Sequence, residues 1–454
     1  MEELAHRNRV FLVLYLGTFV FRFAFGLSAL LAITILEKMQ YGVFAMVIFA
    51  IAFSFIEGLF AGVTGYATDI LDARIVLLSS SVVASLAMTI YILAYPFVRL
   101  ELIFLIVLMV GHAIHGIASS LKVTPTIAII SRYTDYKERA RFMGLYDMIL
   151  MYGRISGLAA AGIIYTFFAG GNPGDPPKAL FGFVILIAIF LLAGIMFYFG
   201  LPHIAPERKG KVEHLWTKLF EHIGAGAKIM FGKLRRDIGL TWFMLSCLWG
   251  LAFNLGPYLI LRDFGVNPEG TGFITAVITL VIGGTSPFWG LVADKIGRKK
   301  TATIGVLGLV FITFLAAFAT TELGISYTDV RFYFIIAPGI FCLAAIGPSF
   351  LGRLGDTAIS GERGIVSSGF QFVTSMGEVT GTAIGGLGYF IGHMMLANTD
   401  LAPFAGLIGL GIPGIFFFFA TIFFGLRLKH DEAILAEIKR LEEEYAKKAE
   451  SHEE

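Results

Sequence analysis

The sequence predicts an all-α integral membrane protein whose twelve transmembrane helices form two pseudo-symmetric six-helix bundles. Three observations lead to this prediction: the overall hydropathy, the length of the apolar segments and an internal repeat. Of the 454 residues, 57% are hydrophobic and 15% are charged, and the mean hydropathy is +0.79. Soluble domains carry about 25% charged residues. An ordinary soluble domain is therefore excluded.

The apolar segments are about 20 residues or longer, which is the length that an α-helix needs to cross roughly 30 Å of hydrocarbon. Because the bilayer core offers no water to pair with backbone polar groups, segments of this length are expected to be helices. The predicted spans are residues 10–36, 42–66, 75–97, 101–130, 142–168, 179–201, 238–261, 271–292, 301–320, 331–351, 364–393 and 402–426.

The distribution of positive charge predicts the orientation of the chain. Most of the 35 lysine and arginine residues fall in alternate loops, which indicates that both termini are cytoplasmic. Arg7 and Arg9 precede the first apolar segment, but that segment is longer than the core of a signal peptide, so we interpret it as a membrane helix. We expect a multi-pass monomer in the plasma or inner membrane. The basic residues follow one side of the membrane, so nucleic-acid binding is not expected.

Two pairs of matching segments indicate that the chain is a duplicated six-helix unit. "GYATDILDAR" at 65–74 matches "GLVADKIGRK" at 290–299, and each follows an apolar span. "ERARFMGLYDMILMYGRISGLAAAG" from Glu138 aligns without a gap to "ERGIVSSGFQFVTSMGEVTGTAIGG" from Glu362, at an offset of 224. The predicted domains are a first bundle at 1–201, an amphipathic linker at 202–237, a second bundle at 238–428 and a helical tail at 429–454.

With its duplicated bundles and its loop sequence at 290–299, the chain resembles the major facilitator superfamily. The resemblance covers the chain apart from about the last 25 residues, and it implies that the loop helps to hold the cytoplasmic side closed, with its aspartate at the positive N-terminal end of a helix in the other half. In the first-half copy, Asp72 stands where glycine is usual and Ala73 where arginine is usual. The candidate gating residues are Gly65, Asp69, Arg74, Gly290, Asp294, Gly297, Arg298 and Lys299.

Six ionisable side chains lie within the predicted spans. Each costs at least about 2.5–3.5 kcal/mol to insert near the bilayer centre, so each is expected to have a partner or a function. Arg154 aligns with Glu378 in the repeat, and Asp147 aligns with Gln371. Two interpretations stay open: these residues face a shared cavity, or they form ion pairs that rigidify each half. The six residues are Arg22, Glu57, Lys122, Asp147, Arg154 and Glu378.

Further candidates lie on the spans that line the central cavity in the resembled family, and on the seventh span. His112 and His115 are three residues apart, and hydrogen bonding or proton handling is favoured over metal binding. Trp249 and Asn254 either face a ligand or only pack. No metal site is predicted. The complete set of candidate binding and coupling residues is Arg22, Glu57, His112, His115, Asp147, Arg154, Trp249, Asn254, Gln371 and Glu378.

The two segments outside the bundles have amphipathic patterns. In the linker, apolar residues cluster on one face with lysines elsewhere, which predicts a helix on anionic lipid. In the tail, Ile434, Ile438 and Leu441 form a narrow apolar seam, which favours packing against the cytoplasmic face. No phosphate-binding glycine–lysine loop of the Walker type occurs in the sequence, so ATP is not the expected energy source.

Together these features predict a secondary active transporter that works by alternating access and moves a small organic solute. The arginines and histidines of the first half favour an anion, and the buried carboxylates favour a proton as the coupling ion, with sodium as a further possibility. No cofactor and no enzymatic activity are expected. Efflux of amphiphilic drugs or lipids is the alternative within this class, because 44 phenylalanines would line an apolar cavity. A non-transporting receptor or scaffold is the alternative from another class.

Overall fold

A computed structural model describes residues 2–170, 175–207, 219–255, 268–325, 329–359, 361–396, 398–399 and 405–453. All regular secondary structure in these ranges is helical. The first half contains α1 (Glu2–Lys38), α2 (Val43–Ile70), α3 (Ala73–Leu93), α4 (Glu101–Arg132), α5 (Arg139–Ala169) and α6 (Phe183–Ile195). The linker contributes α7 (Leu219–Met230). The second half contains α8 (Arg236–Trp249), α9 (Pro268–Ile296), α10 (Arg298–Thr321), α11 (Val330–Leu343), α12 (Ile346–Asp356), α13 (Arg363–Leu396) and α14 (Ala405–Gly425), and the tail forms α15 (Asp431–Glu453).

Ten helical segments among the described residues are long and apolar enough to cross a membrane, and they correspond to ten of the twelve predicted spans. The predicted spans at 238–261 and 364–393 do not meet this criterion. The first is described only as far as residue 255. The second lies in α13, a 34-residue helix rich in glycine, serine and threonine. Ten helices of the described residues thus meet the length and hydropathy criterion, and the count of twelve stays the prediction from the sequence.

The span predicted at 331–351 is two helices, α11 and α12, separated at Ala344 and Ala345. Pro348 explains the break, because its ring clashes with the carbonyl four residues earlier and it has no amide hydrogen to donate. The hydrogen-bonding pattern tightens at this point, where the Ala345 amide bonds to the Cys342 carbonyl. The break places Gly347 against the carboxylate of Asp147 in the other half.

The two halves meet through two antiparallel helix pairs, α2 with α13 and α5 with α9. Along α2 and α13 the contacts run from Val47 against Gly386 to Asp69 against Gly364. Along α5 and α9, Gly144 packs against Ser286, and Gly290 packs against Ala140. The second pair repeats the geometry of the first, as the duplicated sequence predicts.

The ends of the bundles at the two termini form one surface, which we call the basic face. It includes the loops at 71–72, 133–138, 201–207, 297, 357–359 and 426–430. Here Asp69 accepts hydrogen bonds from the amides of Gly364 (2.7 Å) and Ile365 (3.2 Å), at the start of α13. Asp294 accepts from the amides of Ala140 (3.1 Å) and Arg141 (2.9 Å), at the start of α5. Each aspartate thus caps a helix of the opposite half, where the helix dipole is positive.

Arg298 reinforces the junction on the second-half side. It is 1% exposed and donates to Asp294 (2.6 Å), to Asp356 (3.2 Å) and to the Tyr136 carbonyl of the first half. Arg139 of the first half also bonds Asp356, at 2.7 Å. Several charge-assisted hydrogen bonds therefore surround one buried guanidinium, which offsets the cost of its burial.

Glu207, in the segment that leaves α6, has the corresponding place on the first-half side. Ala73 stands where Arg298 stands in the second half, so the first half has no arginine at the equivalent position. Glu207 accepts hydrogen bonds from Arg363 (2.7 Å) and from the Gly361 amide (2.9 Å), and it lies 3.9 Å from Arg132. It therefore places a negative charge between arginines of both halves.

The remaining gating candidates have local contacts. Arg74 pairs with Asp72 (2.7 Å) in its own half, and His203 also contacts Asp72. Burial would raise the pKa of Asp72, but hydrogen bonds from Arg74 and His203 outweigh burial and lower it. The side chain of Lys299 lies 3.3 Å from His430. Gly65 packs against Ser368.

The linker and the tail both contact the bundles. Residues 208–218, which hold half of the predicted lipid-facing helix, lie outside the described part of the chain. The described part, α7, packs against protein: His222 stacks on Tyr66 at 4.3 Å, and Gly226 packs against Gly369. In the tail, Asp431 accepts from the Lys299 amide (3.2 Å) and from Arg353 (3.3 Å). Ile434 and Ile438 are buried, so the predicted apolar seam packs inward.

We expect Asp69→Ala and Asp294→Ala each to lower the thermal stability of the purified protein in detergent. Each substitution leaves two helix-terminal amides without their acceptor, and the loss of such a cap costs about 0.5–2 kcal/mol. Asp135→Ala is the matched control, because Asp135 is an exposed carboxylate on the same face. Equal melting temperatures for all three variants would contradict the structural role of the two caps.

Candidate functional site

A cavity of about 240 Å³ lies between the two halves at mid-depth. Typical small-molecule sites have volumes of about 300–1,000 Å³, so this cavity suits a small solute better than a long-chain lipid. Its walls contain all ten residues that the sequence singles out for binding and coupling: Arg22, Glu57, His112, His115, Asp147, Arg154, Trp249, Asn254, Gln371 and Glu378. Lys122, the remaining intramembrane charge, lies behind the wall.

Two glycines of the repeat bring the cavity charges close to neighbouring helices. A β-carbon on Gly26 of α1 would collide with the backbone carbonyl of Arg154 in α5, and a β-carbon on Gly250 would collide with that of Glu378 in α13. Gly26 and Gly250 are themselves 224 positions apart. The duplicated packing thus places a positive residue in one half and a negative residue in the other at equivalent positions.

Two hydrogen bonds cross between the halves at glutamates of the cavity lining. Ser375 of α13 donates to Glu57 of α2 (2.8 Å), and Ser54 of α2 donates to Glu378 of α13 (3.0 Å). The same motif, Ser-x-x-Glu, produces both bonds: it reads "SFIE" at 54–57 and "SMGE" at 375–378. Because the helices are antiparallel, each serine lies opposite the glutamate of the other motif.

The arginines balance these carboxylates electrostatically. Arg22 interacts with Glu57, and Arg154 interacts with Glu378. The two carboxylates also repel each other. The cluster therefore contains two guanidinium and two carboxyl groups, and each carboxyl group accepts a hydrogen bond from a serine of the other half. A change in the spacing of the halves would alter the partners of both carboxylates together.

Asp147 forms a third contact between the halves. Its carboxylate accepts a hydrogen bond from Ser286 of α9 at 2.6 Å and lies next to Gly347 of α12. Gln371, its equivalent in the repeat, lies on the other cavity wall and donates to Ser375 at 3.3 Å. The repeat thus has a carboxylate in the first half and a neutral amide in the second.

The two histidines have different surroundings. His112 lies 2.5 Å from the Tyr91 hydroxyl through Nδ1 and stacks on Phe49, with ring centroids 3.8 Å apart. His115 is 2% exposed and packs against Phe25, with ring centroids 4.9 Å apart. Their own ring centroids are 6.4 Å apart. Among the described residues, no group of three histidine, cysteine, aspartate or glutamate side chains is placed to hold a metal ion.

Lys122 is fully buried behind the cavity wall. Its ammonium donates to the Tyr146 hydroxyl at 3.4 Å and lies 4.8 Å from the centre of the same ring, a cation–π contact. Tyr146 itself lines the cavity. Lys122 therefore contacts the first-half wall through Tyr146, without reaching the cavity directly.

On the second-half wall, Asn254 lies in the π-helical turn Gly250–Leu255 that continues α8. Its amide donates to Thr382 at 3.0 Å, which ties this turn to α13. Trp249 lies beside Trp242, with ring centroids 6.4 Å apart. Trp242 donates its indole N–H to Thr374 (2.7 Å) and packs on Phe370 (4.6 Å).

Sequence reasoning missed the residues that join the halves around the cavity and at the basic face. Ser54, Ser286 and Ser375 look like ordinary small residues of membrane helices, although the shared Ser-x-x-Glu spacing was a usable signal. Glu207 and Asp356 gave no such signal, because their roles depend on how loops of different halves meet. Phe370 was hidden among many aromatic residues.

The comparisons with known proteins agree with this architecture. A curated relative, the puromycin resistance protein pur8 of Streptomyces alboniger, is 27% identical over 145 residues, which are 32% of this chain and 27% of the relative's length. The chain thus matches about a quarter of that protein.

Two solved structures share the fold. The human organic anion transporter MFSD10 superposes with a TM-score of 0.67 at 16% identity, over 91% of this chain and 99% of that one. The proton:xylose symporter XylE superposes with a TM-score of 0.66 at 16% identity, over 92% and 95%.

The family model described as Major Facilitator Superfamily matches residues 14–261 and 240–450, which together span both halves. This match and the solved structures confirm the resemblance and the fold predicted from the repeat. The chain, with its duplicated bundles around a central cavity, belongs to the major facilitator superfamily.

Proposed function

We propose that the protein is a proton-coupled secondary transporter that moves a small organic anion by alternating access. The observation that carries this proposal is the pair of reciprocal bonds, Ser375 to Glu57 and Ser54 to Glu378, at the lining of a cavity between two related halves. We also propose that the basic face is cytoplasmic and that the chain lies in the plasma or inner membrane. Positive loops favour the cytoplasmic side.

Rocking of the halves would break the bonds that cross between α2 and α13. A carboxylate that loses a hydrogen-bond donor, or moves relative to an arginine, changes its affinity for a proton. Glu57 and Glu378 would change together, because each depends on a serine of the opposite half. Proton binding would in this way favour one arrangement of the halves, which is the requirement for coupling.

An anion is favoured because the first-half wall contains the guanidinium groups of Arg22 and Arg154. Guanidinium groups bind carboxylates and phosphates in a planar, two-point geometry. The likeness to an organic anion transporter supports the same class, although it is a likeness of fold at 16% identity.

Efflux of amphiphilic drugs is the second candidate, and the similarity to the puromycin resistance protein favours it. The largely apolar and aromatic lining of the cavity is compatible with such substrates.

We expect Glu57→Gln and Glu378→Gln to abolish proton-driven accumulation in proteoliposomes while exchange of solute persists. Glutamine keeps the shape and accepts the serine hydrogen bond, but it does not bind and release a proton. The measurement is acidification of a trapped pH dye on addition of external solute, compared with counterflow of the labelled solute. Glu101→Gln is the matched control, since Glu101 is exposed at the far end of α4. If both cavity variants accumulate solute against a gradient, these glutamates do not couple protons.

Counterflow in proteoliposomes decides between a carrier and a receptor or scaffold. Candidate solutes are selected beforehand by the rise in melting temperature that they cause, from a panel of carboxylates, phosphate esters and lipophilic cations. We expect labelled carboxylates or phosphate esters to exchange. Exchange of tetraphenylphosphonium alone would favour drug efflux, and the absence of exchange for every stabilising solute would favour a scaffold. Accumulation driven by a sodium gradient instead of a proton gradient tests sodium as the alternative coupling ion.

A further inference from the structure

The two walls of the cavity differ in chemistry at positions that the repeat makes equivalent. Arg22 in the first half corresponds to Ser246 in the second, and Tyr146 corresponds to Phe370. All four residues line the cavity. Among the described lining residues, four of the five Asp, Glu and Arg side chains belong to the first half, and Glu378 is the exception. The first-half wall therefore carries most of the charged side chains, and the second-half wall carries one carboxyl group.

On the first-half wall, two buried nitrogens are unsatisfied. Within the described ranges, Arg22 Nε and His115 Nε2 have no hydrogen-bond partner, although the two residues are 8% and 2% exposed. Both side chains pack on Phe25: the guanidinium carbon lies 4.9 Å from the ring centre, and the imidazole centroid lies 4.9 Å from it. Burial of a polar group without a partner is unfavourable, so this part of the wall is suited to an acceptor from a ligand.

On the opposite wall, an aromatic platform is held in place. The indole N–H of Trp242 is already bonded to Thr374, and its ring packs on Phe370 and Phe350. Trp249, Leu245 and Ile282 also line the cavity in the second half. Because the polar atom of Trp242 is satisfied, the surface gains most from burying an apolar group.

We infer that the substrate is an amphiphilic organic anion, bound with its anionic head group against Arg22 and His115 of the first half and its apolar body against the Trp242–Phe370 platform of the second. This inference rests on the proposed function of the cavity as the transport site. The ligand would then contact both halves through different parts of its structure. Neither a purely polar solute nor an uncharged apolar one would satisfy both walls.

The test uses isothermal titration of the purified chain in detergent with three matched probes: 4-phenylbutyrate, butyrate and 4-phenylbutyramide. 4-Phenylbutyrate has both the carboxylate head group and the apolar phenyl group. Butyrate lacks the phenyl group, and 4-phenylbutyramide lacks the negative charge. Burial of a phenyl-sized group is worth about 1.5–3 kcal/mol, so we expect 4-phenylbutyrate to bind at least about 10-fold more tightly than butyrate. We expect a similar advantage over the amide. Equal affinities for the acid and the amide, or for the two acids, would overturn the inference.

Variants assign the two ends of the ligand. Arg22→Gln is expected to lower the affinity for 4-phenylbutyrate about 10-fold or more, while the affinity for 4-phenylbutyramide changes by less than about 2-fold. Trp249→Leu is expected to weaken 4-phenylbutyrate more than butyrate. Trp289→Leu is the matched control, since Trp289 does not line the cavity, and Arg331→Gln, at an exposed arginine, controls for charge. Equal losses for acid and amide in Arg22→Gln would contradict the head-group assignment.

Failure of this inference and failure of the proposed function give different results. Binding in detergent does not require transport. If the probes bind in the expected order but labelled 4-phenylbutyrate shows no counterflow, the site assignment stands and transport fails. If other solutes exchange while the Kd for 4-phenylbutyrate is about 1 mM or higher, the proposal of transport stands and the inferred class of substrate is wrong.

Discussion

The constraint on which the structure depends is that a charge in the bilayer interior needs a partner. Each of the three acidic residues in the cavity wall meets it with a partner from the opposite half. Glu57 and Glu378 each accept a hydrogen bond from a serine across the α2–α13 contact, and Asp147 accepts one from α9. These groups therefore link the energy of each buried charge to the relative position of the halves, and a simple ion pair within one half would not do so.

The basic face repeats the same principle with different chemistry. Asp69 and Asp294 bind helix amides of the opposite half, as the duplicated loop predicts. The surrounding groups have diverged: Arg298 fills the second-half junction, whereas Glu207 from the linker fills the first-half one. The duplication thus preserves the caps and lets the surrounding charges vary. The cavity shows the same divergence, since Arg154 and Glu378 occupy equivalent positions with opposite charge.

The fold and much of the site could be predicted from the sequence because both follow from local patterns. The length of the apolar segments predicts the helices, and the offset of 224 residues between the repeated segments predicts the two halves. The energetic cost of placing a charged side chain in the bilayer identifies the ionisable residues that line the cavity. The break at Ala344 and Ala345 was hidden, because Pro348 lies within an apolar segment that reads as continuous. The contacts of Ser375 and Glu207 could not be predicted, since they depend on the register of helices far apart in the sequence. One side of α7 packs on Tyr66 and Gly369, and the lipid contact of the linker's apolar face stays a prediction.

Pulsed electron–electron double resonance tests most directly whether protonation of Glu57 and Glu378 moves the two halves relative to each other. Spin labels at the exposed positions 135 and 300 of the basic face, in a chain with Cys247 and Cys342 replaced, report the distance between the first and second halves. The account predicts that lowering the pH redistributes this distance in the parent protein and leaves it unchanged when Glu57 and Glu378 are both glutamine. An identical redistribution in both proteins would show that protons act elsewhere.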